Sequence, residues 1–348
     1  MIVYLDESKN YYKANLHCHT TRSDGRATPE QVKEEYKKRG YSAVAFTDHD
    51  HLLNCSHLTD ESFVAINGFE LSVAGRKIDE AYSPRPSSVM AHINFLSKDP
   101  DCDVTPCYHD KYDWYKFEDL RHLVKYDEPY TRVYSHEGIN DMIRIGHERG
   151  FLITLNHPNW SFQTAEDYLG YEDLDFIEVY NTGTILSGHH DDEAALDNIM
   201  KAGKRIFPVA ADDNHNISGF EGSKSDSFGG WVMINSEKLG YKELMDSLEA
   251  GSFYASTGPE IYSLTLNDEG VMSIKTSGVS RIFLISQGRR NCRLIAEEGE
   301  LMYSGSFRIP ESVVRFRIRI DDEYGRSAYT GVYDIPEDTP RIEVAPKK

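Results

Sequence analysis

The sequence carries His17-Cys18-His19 and, further along, Thr47-Asp48-His49-Asp50, and each of these runs follows an apolar stretch. On a β-strand, residues two apart point to the same side, so His17 and His19 project together while Cys18 faces the other way. Two imidazoles aimed at one point form half of a metal site. The pattern therefore predicts strands that present metal ligands at their ends.

The same placement recurs along the chain. Asp213 and His215, again two residues apart, follow the apolar run 205–211, and His157 follows the run 151–156. A single histidine at the end of a strand is more often a structural residue than a ligand. Repetition at several strand ends favours one shared site, because metal ligands in α/β proteins cluster there.

Composition limits the classes of protein to consider. A chain of 348 residues is long enough for a barrel and a smaller domain. We expect a cytoplasmic protein with no membrane span, because its five cysteines form no Cys-x-x-Cys pair and no signal peptide or apolar segment is visible. The net charge of −19 disfavours a long nucleic acid as partner, whereas bound divalent cations would still admit a small phosphorylated substrate.

Short β-rich runs alternate with amphipathic helical runs over the first two thirds of the chain, which predicts a parallel α/β architecture. One helix is well marked, since Thr28 and Gln31 form a capping box, Pro29 occupies its first turn and Gly40 follows its end. We assign strands to residues 14–18, 43–47, 64–66, 91–95, 152–156, 176–180, 206–210 and 231–234. Their number is close to that of a (β/α) barrel of seven or eight strands, whose active site lies at the carboxyl ends of the strands.

Two segments depart from this alternation. Residues 76–135 form an insert that either covers the mouth of the barrel and shapes substrate choice or is a solvated decoration. After residue 257 the runs alternate as strands do without helices between them, so residues 258–348 are predicted to form a small antiparallel β-sandwich domain behind a catalytic domain of residues 1–257. The basic run 315–319 is interpreted first as a solvated strand face and second as a ligand surface.

Taken in order, the motifs are His17-x-His19, Ser23-Asp24-Gly25, Thr47-Asp48-His49, Gly68-Phe69-Glu70, His92, Asn156-His157-Pro158 and Asp213-x-His215. This series resembles the PHP (polymerase and histidinol phosphatase) family of metal-dependent phosphoesterases, in particular a bacterial subgroup with a β-rich tail. The resemblance covers about the first 255 residues, and it is specific because the separate motifs occur in the family's order. It implies an α/β fold, a distorted (β/α)7-type barrel of the PHP kind, with the small antiparallel β-sandwich domain behind it.

The resemblance also implies two or three divalent metal ions, which the imidazole and carboxylate ligands suit as Mn, Fe or Zn. The first ion would be held by His17, His19, Glu70 and Asp213. The second would share Glu70 and add His92 and His157, and the third would be held by Asp24, His49 and His215. Asp212 adjoins Asp213 and is an alternative ligand, although Asp213 shares a strand side with His215.

The leading functional hypothesis is hydrolysis of a small phosphorylated molecule, a phosphomonoester or a nucleotide, by a hydroxide shared between metal ions. No protein nucleophile is needed, and Arg22 and Asn181 are candidate substrate-binding residues. Three alternatives stay open: a 5′–3′ exonuclease on short single-stranded oligonucleotides, a non-catalytic metal-binding protein, and hydrolysis of a C–N bond. The oligomeric state also stays open.

Overall fold

A computed structural model of the chain describes residues 1–112 and 120–342. The strands are β1 (Ile2–Leu5), β2 (Asn10–Asn15), β3 (Ala43–Phe46), β4 (Val64–Lys77), β5 (Ser88–Ser97), β6 (Phe151–Leu155), β7 (Phe176–Asn181), β8 (Phe207–Ala211), β9 (Trp231–Ser236), β10 (Phe253–Ser256), β11 (Ile261–Leu266), β12 (Val271–Val279), β13 (Arg281–Ser286), β14 (Cys292–Ile295), β15 (Met302–Arg308), β16 (Arg315–Asp321), β17 (Ser327–Thr330) and β18 (Tyr333–Asp334). The helices are α1 (Pro29–Lys38), α2 (His136–Glu148), α3 (Ala165–Tyr168), α4 (Thr182–Leu186), α5 (Glu193–Lys201) and α6 (Tyr241–Ala250). Two parts of the predicted organisation, residues 113–119 of the insert and residues 343–348 of the second domain, lie outside the described residues.

The mixed α/β class is confirmed, and the strands from β2 to β8 lie side by side in sequence order. The pairs β2–β3, β3–β4, β6–β7 and β7–β8 are parallel. The expectation of a parallel sheet throughout is wrong at two places, because β5 runs antiparallel to both β4 and β6, and β9 runs antiparallel to β2. The reason for β5 is its connection: β4 and β5 form a long hairpin, and a direct hairpin can join only antiparallel strands.

The two ends of this series of strands meet just beyond β2 and β8. Cys18 and Asn214 form an isolated parallel bridge, in which the His19 amide donates to the Asn214 carbonyl at 3.0 Å and the Asp213 amide donates to the His17 carbonyl at 3.0 Å. The first predicted strand, 14–18, is shifted as a result, since β2 ends at Asn15 and the histidines lie in the irregular segment after it. The closed barrel itself stays a prediction.

Helix α1 forms as its sequence signals predict. The Gln31 amide donates to Thr28 Oγ1 at 3.3 Å and the Thr28 amide donates to Gln31 Oε1 at 2.9 Å, which confirms the capping box. Val32 and Tyr36 are buried on its inner face, against the strands that carry the histidines. The helix thereby fixes the position of the segment that follows β2.

The described part of the insert packs against the loop that follows His49. Arg132 is buried, forms an ion pair with Asp50 and donates to the Ser72 carbonyl at 3.0 Å. The Leu52 amide donates to Thr105 Oγ1 at 2.9 Å. These contacts anchor the insert to a segment of the candidate site, while its influence on substrate choice stays a prediction.

The C-terminal part is antiparallel, as the alternating pattern predicts. A separate four-stranded sheet has the order β1-β11-β12-β15, and the strands β14-β13-β16-β17 continue the large sheet through β10 and β9. Apolar side chains of both sheets, including Ile274, Leu284 and Ile318, belong to one hydrophobic core. The boundary between residues 257 and 258 stays a prediction, and β1 was not expected in the C-terminal sheet.

The interpretation of the basic run in β16 as a solvated face is wrong. Arg317 is 0% exposed, and its Nη2 lies 2.5 Å from Glu193 Oε1 and 2.8 Å from Asp197 Oδ1 on α5. Arg319 Nη1 lies 2.7 Å from Glu193 Oε2. Carboxylates on α5, which is far away in sequence, pair with these two arginines, and no local pattern in β16 indicates these partners.

Within the described ranges, no helix has both the length and the apolar character needed to cross a membrane.

Candidate metal centre

All nine predicted ligands lie in one largely buried cluster, either within the strands β4 and β5 or in the segments that follow β2, β3, β6 and β8. They are His17, His19, Asp24, His49, Glu70, His92, His157, Asp213 and His215. Their side chains come from six segments of the chain that only the fold brings together. Each role as a ligand stays a prediction, but the convergence is a property of the structure.

Glu70 lies at the centre of the cluster and is 1% exposed. Its carboxylate oxygens lie within 3.5 Å of five imidazole nitrogens, those of His17 at 3.4 Å, His19 at 3.5 Å, His49 at 3.0 Å, His92 at 3.0 Å and His157 at 3.3 Å. A carboxylate placed in this way can offer one oxygen to each of two cations.

Asp213 closes the cluster on the side of the His17–His19 pair. Its Oδ1 lies 3.2 Å from His17 Nε2 and 3.0 Å from His19 Nε2, and those two nitrogens are 3.1 Å apart. Two imidazole nitrogens and a carboxylate oxygen thus converge on one small volume. A single divalent cation would satisfy all three lone pairs.

Asp24 lies close to a second set of histidines. Its Oδ1 lies 3.3 Å from His215 Nε2 and 3.8 Å from His19 Nδ1, and its Oδ2 lies 3.7 Å from His49 Nε2. Asp24 and His215 are the more exposed members of the cluster. The arrangement matches a third cation position that faces solvent.

Ligand-type atoms within 4.8 Å of one another form four overlapping groups among the described residues. They are His19-Asp24-His49-His215, His17-His19-Glu70, Glu70-His92-His157 and His17-His157-Glu178. The first three overlap the three predicted ion sites, but His19 is added to the third site and Asp213 is absent from the group of the first site. The donor set is therefore compatible with divalent metal ions.

The contacts of Asp212 bear on whether Asp212 or Asp213 is the predicted metal ligand. The Asp212 carboxylate is 0% exposed and accepts hydrogen bonds from the Tyr36 hydroxyl at 2.7 Å and the Thr182 hydroxyl at 2.7 Å. It also accepts from the backbone amides of residues 228, 229 and 230. Its lone pairs are thus engaged in the core, which favours Asp213 as the ligand.

The backbone of the cluster holds unusual conformations. His157 has φ 27°, Asp213 has φ 52° and Asp50 has φ 63°, all in the left-handed region that residues with a Cβ rarely adopt. Such strain is kept only where surrounding contacts enforce it, and it is common at functional sites. Gly25, beside Asp24, is needed for another reason: a Cβ there would lie 2.6 Å from the His19 carbonyl oxygen.

The carboxylates of the cluster stay ionised. Burial alone would raise the pKa of Glu70, but His92 and His17 outweigh it and lower that pKa well below its ordinary value. The same balance, with His17 and His19 as partners, lowers the pKa of Asp213. Burial together with His215 and His49 lowers the pKa of His19 to about 4, so its ring is neutral and can donate a lone pair at pH 7. At His17, His49, His157 and His215 burial is outweighed by nearby carboxylates, which raise the pKa of these rings, so a cation that binds the cluster would displace their protons.

Sequence reasoning missed several residues that orient the ligands. Glu178 lies in the middle of β7, is 1% exposed, and its Oε1 lies 2.6 Å from His17 Nδ1. Asp48 accepts from the Thr20 amide at 2.8 Å and from the Ser23 hydroxyl at 2.6 Å, which fixes the loop that carries Asp24. A charged residue between two apolar ones, as in Ile177-Glu178-Val179, is the signal that could have identified Glu178.

The two predicted substrate-binding residues have different surroundings. Asn181 is buried beside the cluster, and its Nδ2 donates to Glu178 Oε2 at 2.9 Å and to Asp213 Oδ2 at 3.3 Å. Arg22 is turned away, because its Nη1 donates to the Leu53 carbonyl at 2.8 Å and lies 2.9 Å from Cys55 Sγ. Contact with substrate stays a prediction for both.

The chain was compared with protein-family profiles, curated proteins and solved structures. The sequence profile of the PHP domain matches residues 15–213, which is more than half of the chain. No curated protein matches the sequence.

Solved structures with a similar fold include a two-domain protein from Bacteroides vulgatus that contains a predicted PHP-like metal-dependent phosphoesterase; it is 14% identical, with 95% of this chain and 96% of that chain covered and a TM-score of 0.44. A candidate metal-dependent phosphoesterase from Bifidobacterium adolescentis is 15% identical, with 61% and 91% covered and a TM-score of 0.38. An amidohydrolase from Chromobacterium violaceum with bound sulfate and no metal is 18% identical, with 58% and 87% covered and a TM-score of 0.36.

Proposed function

This chain belongs to the PHP domain family, and from that premise we propose that it hydrolyses a small phosphorylated molecule at the histidine–carboxylate cluster. One observation carries the proposal: the buried Glu70 carboxylate lies within 3.5 Å of five imidazole nitrogens. A carboxylate among five imidazoles suits a site for several cations.

In this proposal the first and second ions share Glu70, and otherwise each ion has different side chains. The first would be held by His17, His19, Glu70 and Asp213, the second by Glu70, His92 and His157, and the third by Asp24, His49 and His215. Bound divalent ions would supply a water-derived nucleophile at neutral pH and neutralise charge on the phosphoryl group. The metal would be Mn, Fe or Zn, on the grounds of the nitrogen and oxygen donor set.

The protein's own side chains would act on orientation and protonation. Glu178 holds the Nδ1 side of His17 at 2.6 Å, so that the Nε2 lone pair of His17 faces Asp213. Asn181 ties Glu178 to Asp213 and keeps that carboxylate in place. No serine or cysteine nucleophile is required for this chemistry.

A small substrate is preferred because the surroundings are acidic. The net charge of −19 repels a long polyanion. Arg132, a buried cation beside the His49 loop, is already paired with Asp50. We further propose that residues 1–257 form the catalytic domain as a closed (β/α) barrel, that residues 258–348 form the second domain, and that the protein is cytoplasmic.

The test begins with the metal content of the purified protein by inductively coupled plasma mass spectrometry, without added metal or chelator. Two or three equivalents per chain are expected. The loaded protein is then assayed for phosphate release from a phosphomonoester, a nucleotide with two phosphates and short single-stranded oligomers, with the Asp213→Asn variant as control.

The outcomes separate the alternatives. Phosphate release from the small esters by the unmodified protein, but not by the Asp213→Asn variant, supports the proposal. Hydrolysis restricted to oligomer ends would replace it with the exonuclease. A full metal complement with no phosphoester turnover would favour C–N hydrolysis or a non-catalytic role. Less than one equivalent, unrestored by added metal, would contradict the site itself.

A further inference from the structure

Trp160 is an exposed aromatic residue set directly against the buried cluster. Its side chain is 38% exposed, whereas His157 and His92 are 2% and 7% exposed. The indole centroid lies 5.1 Å from the imidazole of His157 and 5.4 Å from that of His92. The indole therefore touches two candidate ligands and water at once.

The loop that carries Trp160 is held rigidly. The Ser161 amide donates to the His157 carbonyl at 3.1 Å, the Gln163 amide donates to the Pro158 carbonyl at 2.9 Å, and the Asn159 amide donates to Asp192 Oδ1 at 2.9 Å. The backbone is strained on both sides of the indole, with φ 27° at His157 and φ 57° at Phe162. Strain of this kind persists where the surroundings enforce one conformation, so the indole is pre-organised.

Core packing does not account for this placement. Trp160 belongs to none of the hydrophobic clusters formed by the described residues. Its neighbour Phe162 is also exposed, at 44%, and packs near His189 with ring centroids 6.1 Å apart. The indole packs on two histidines and still leaves 38% of its surface in water at the border of a polar site, and exposed aromatic residues in such positions commonly serve recognition.

We propose that Trp160 is a stacking surface for a planar aromatic ring on the leaving group of the substrate, a nucleobase or an aryl group. This inference rests on the proposed function, because the phosphate would occupy the cluster beside His157 and His92. An uncharged ring is not repelled by the acidic protein, and stacking recognises any planar ring without hydrogen bonds. Trp160 would then set which phosphoesters are hydrolysed well.

The test uses two pairs of esters that differ in the ring. Adenosine 5′-monophosphate and ribose 5-phosphate share the same phosphomonoester but only the first has a base, and phenyl and cyclohexyl phosphate differ in planarity. For Trp160→Ala, the ratio of kcat/KM for the ringed over the ringless ester is expected to fall by about 5- to 150-fold, as for loss of one stacked base. The pair that shows the fall tells nucleobase from aryl group.

Two further variants control the measurement. Trp160→Phe keeps a planar ring and is expected to keep most of the ratio. Tyr303→Ala removes an aromatic side chain that is 65% exposed on β15 and is expected to change nothing. An equal loss on both members of each pair, or no loss on any, would overturn the proposal, since the indole would then only support the histidines or do nothing.

Binding of adenosine, which carries no phosphate, gives a readout that is independent of turnover. Calorimetry on the metal-loaded protein should detect binding in the unmodified chain and in Trp160→Phe but not in Trp160→Ala, with metal content measured for each. If adenosine binding depends on Trp160 but no ester is hydrolysed, the stacking surface stands and the proposed function fails. If esters are hydrolysed but Trp160→Ala binds adenosine as well as the unmodified chain does, the stacking surface is contradicted and the proposed function stands.

Discussion

The Nδ1 atom of His17 and the Oε1 atom of Glu178 lie 2.6 Å apart, and both side chains are buried. A carboxylate on one ring nitrogen fixes the proton there and leaves the lone pair on the other. The Nε2 atom of His17 accordingly faces the oxygens of Asp213 and Glu70. Glu178 therefore determines which ring nitrogen of His17 is available to a cation.

Glu178→Gln is expected to weaken metal binding by about 10- to 100-fold, because the amide orients His17 less firmly and no longer favours its Nδ1 proton. Titration with a competing chelator would measure the change. Glu172→Gln, an exposed glutamate just before β7, is the matched control and should bind metal normally. Unchanged affinity in Glu178→Gln would show that His17 needs no such support.

Asp213→Asn is expected to lose metal and phosphoesterase activity while the protein stays folded. The variant removes the charge that lies 3.0 Å from His19 Nε2 but keeps the shape of the side chain. Metal analysis and circular dichroism of the same preparation would check both halves of the prediction.

The neighbouring Asp212→Asn provides a contrast. Its carboxylate accepts hydrogen bonds from two hydroxyls and three backbone amides in the core, and the amide of asparagine leaves some of these donors unpaired. The free energy of unfolding of the metal-free protein is expected to fall by about 1–3 kcal/mol, measured by urea denaturation. Loss of metal without loss of stability in this variant would mean that the two aspartates have been assigned in the wrong order.

His157→Ala is expected to remove the second ion and most of the activity, because only Glu70 and His92 would be left to hold that ion. The protein should stay folded, since the imidazole faces the cluster and not the hydrophobic core. Metal stoichiometry is the direct measurement, with His136→Ala as a control outside the cluster. Unchanged activity in both His157→Ala and Asp213→Asn would mean that the active site lies elsewhere.

The positions of candidate ligands such as His49, His157 and Asp213 could be predicted from sequence because each follows an apolar run, and strand ends meet in space. Asp24, Glu70 and His92 do not follow this pattern and were indicated by the resemblance to the PHP family. The direction of β5 could not, since an antiparallel and a parallel strand show the same apolar run when both faces are buried. The burial of Arg317 could not be predicted either, because its partners Glu193 and Asp197 lie on a helix far away in sequence. Glu178 was visible as a charge in an apolar strand but had no partner until the fold supplied His17.

Arg317→Met is expected to destabilise the protein by about 3–5 kcal/mol, because it leaves part of the charge of Glu193 and Asp197 without a partner at the surface of α5. Denaturant unfolding would measure the loss. Adding Asp197→Asn to the same chain should recover part of it. Arg281→Met, which removes a 57% exposed side chain on the adjacent β13, should cost less than about 1 kcal/mol.

Removal of metal with a chelator is expected to lower the melting temperature, since ions that bind only the folded protein stabilise it by mass action. Manganese or zinc added back should restore it, and the Asp213→Asn variant should respond less. A melting temperature that ignores both chelator and metal would count against a cluster built to hold ions.

The pairing of β1 with β11 sets an order of events during synthesis. Residues 2–5 leave the ribosome well before their partner strand, which ends at Leu266. At roughly 5–20 residues per second, that partner follows about 13 to 50 seconds later. Until then β1 has no partner strand, so a segment that is made early is among the last to pair.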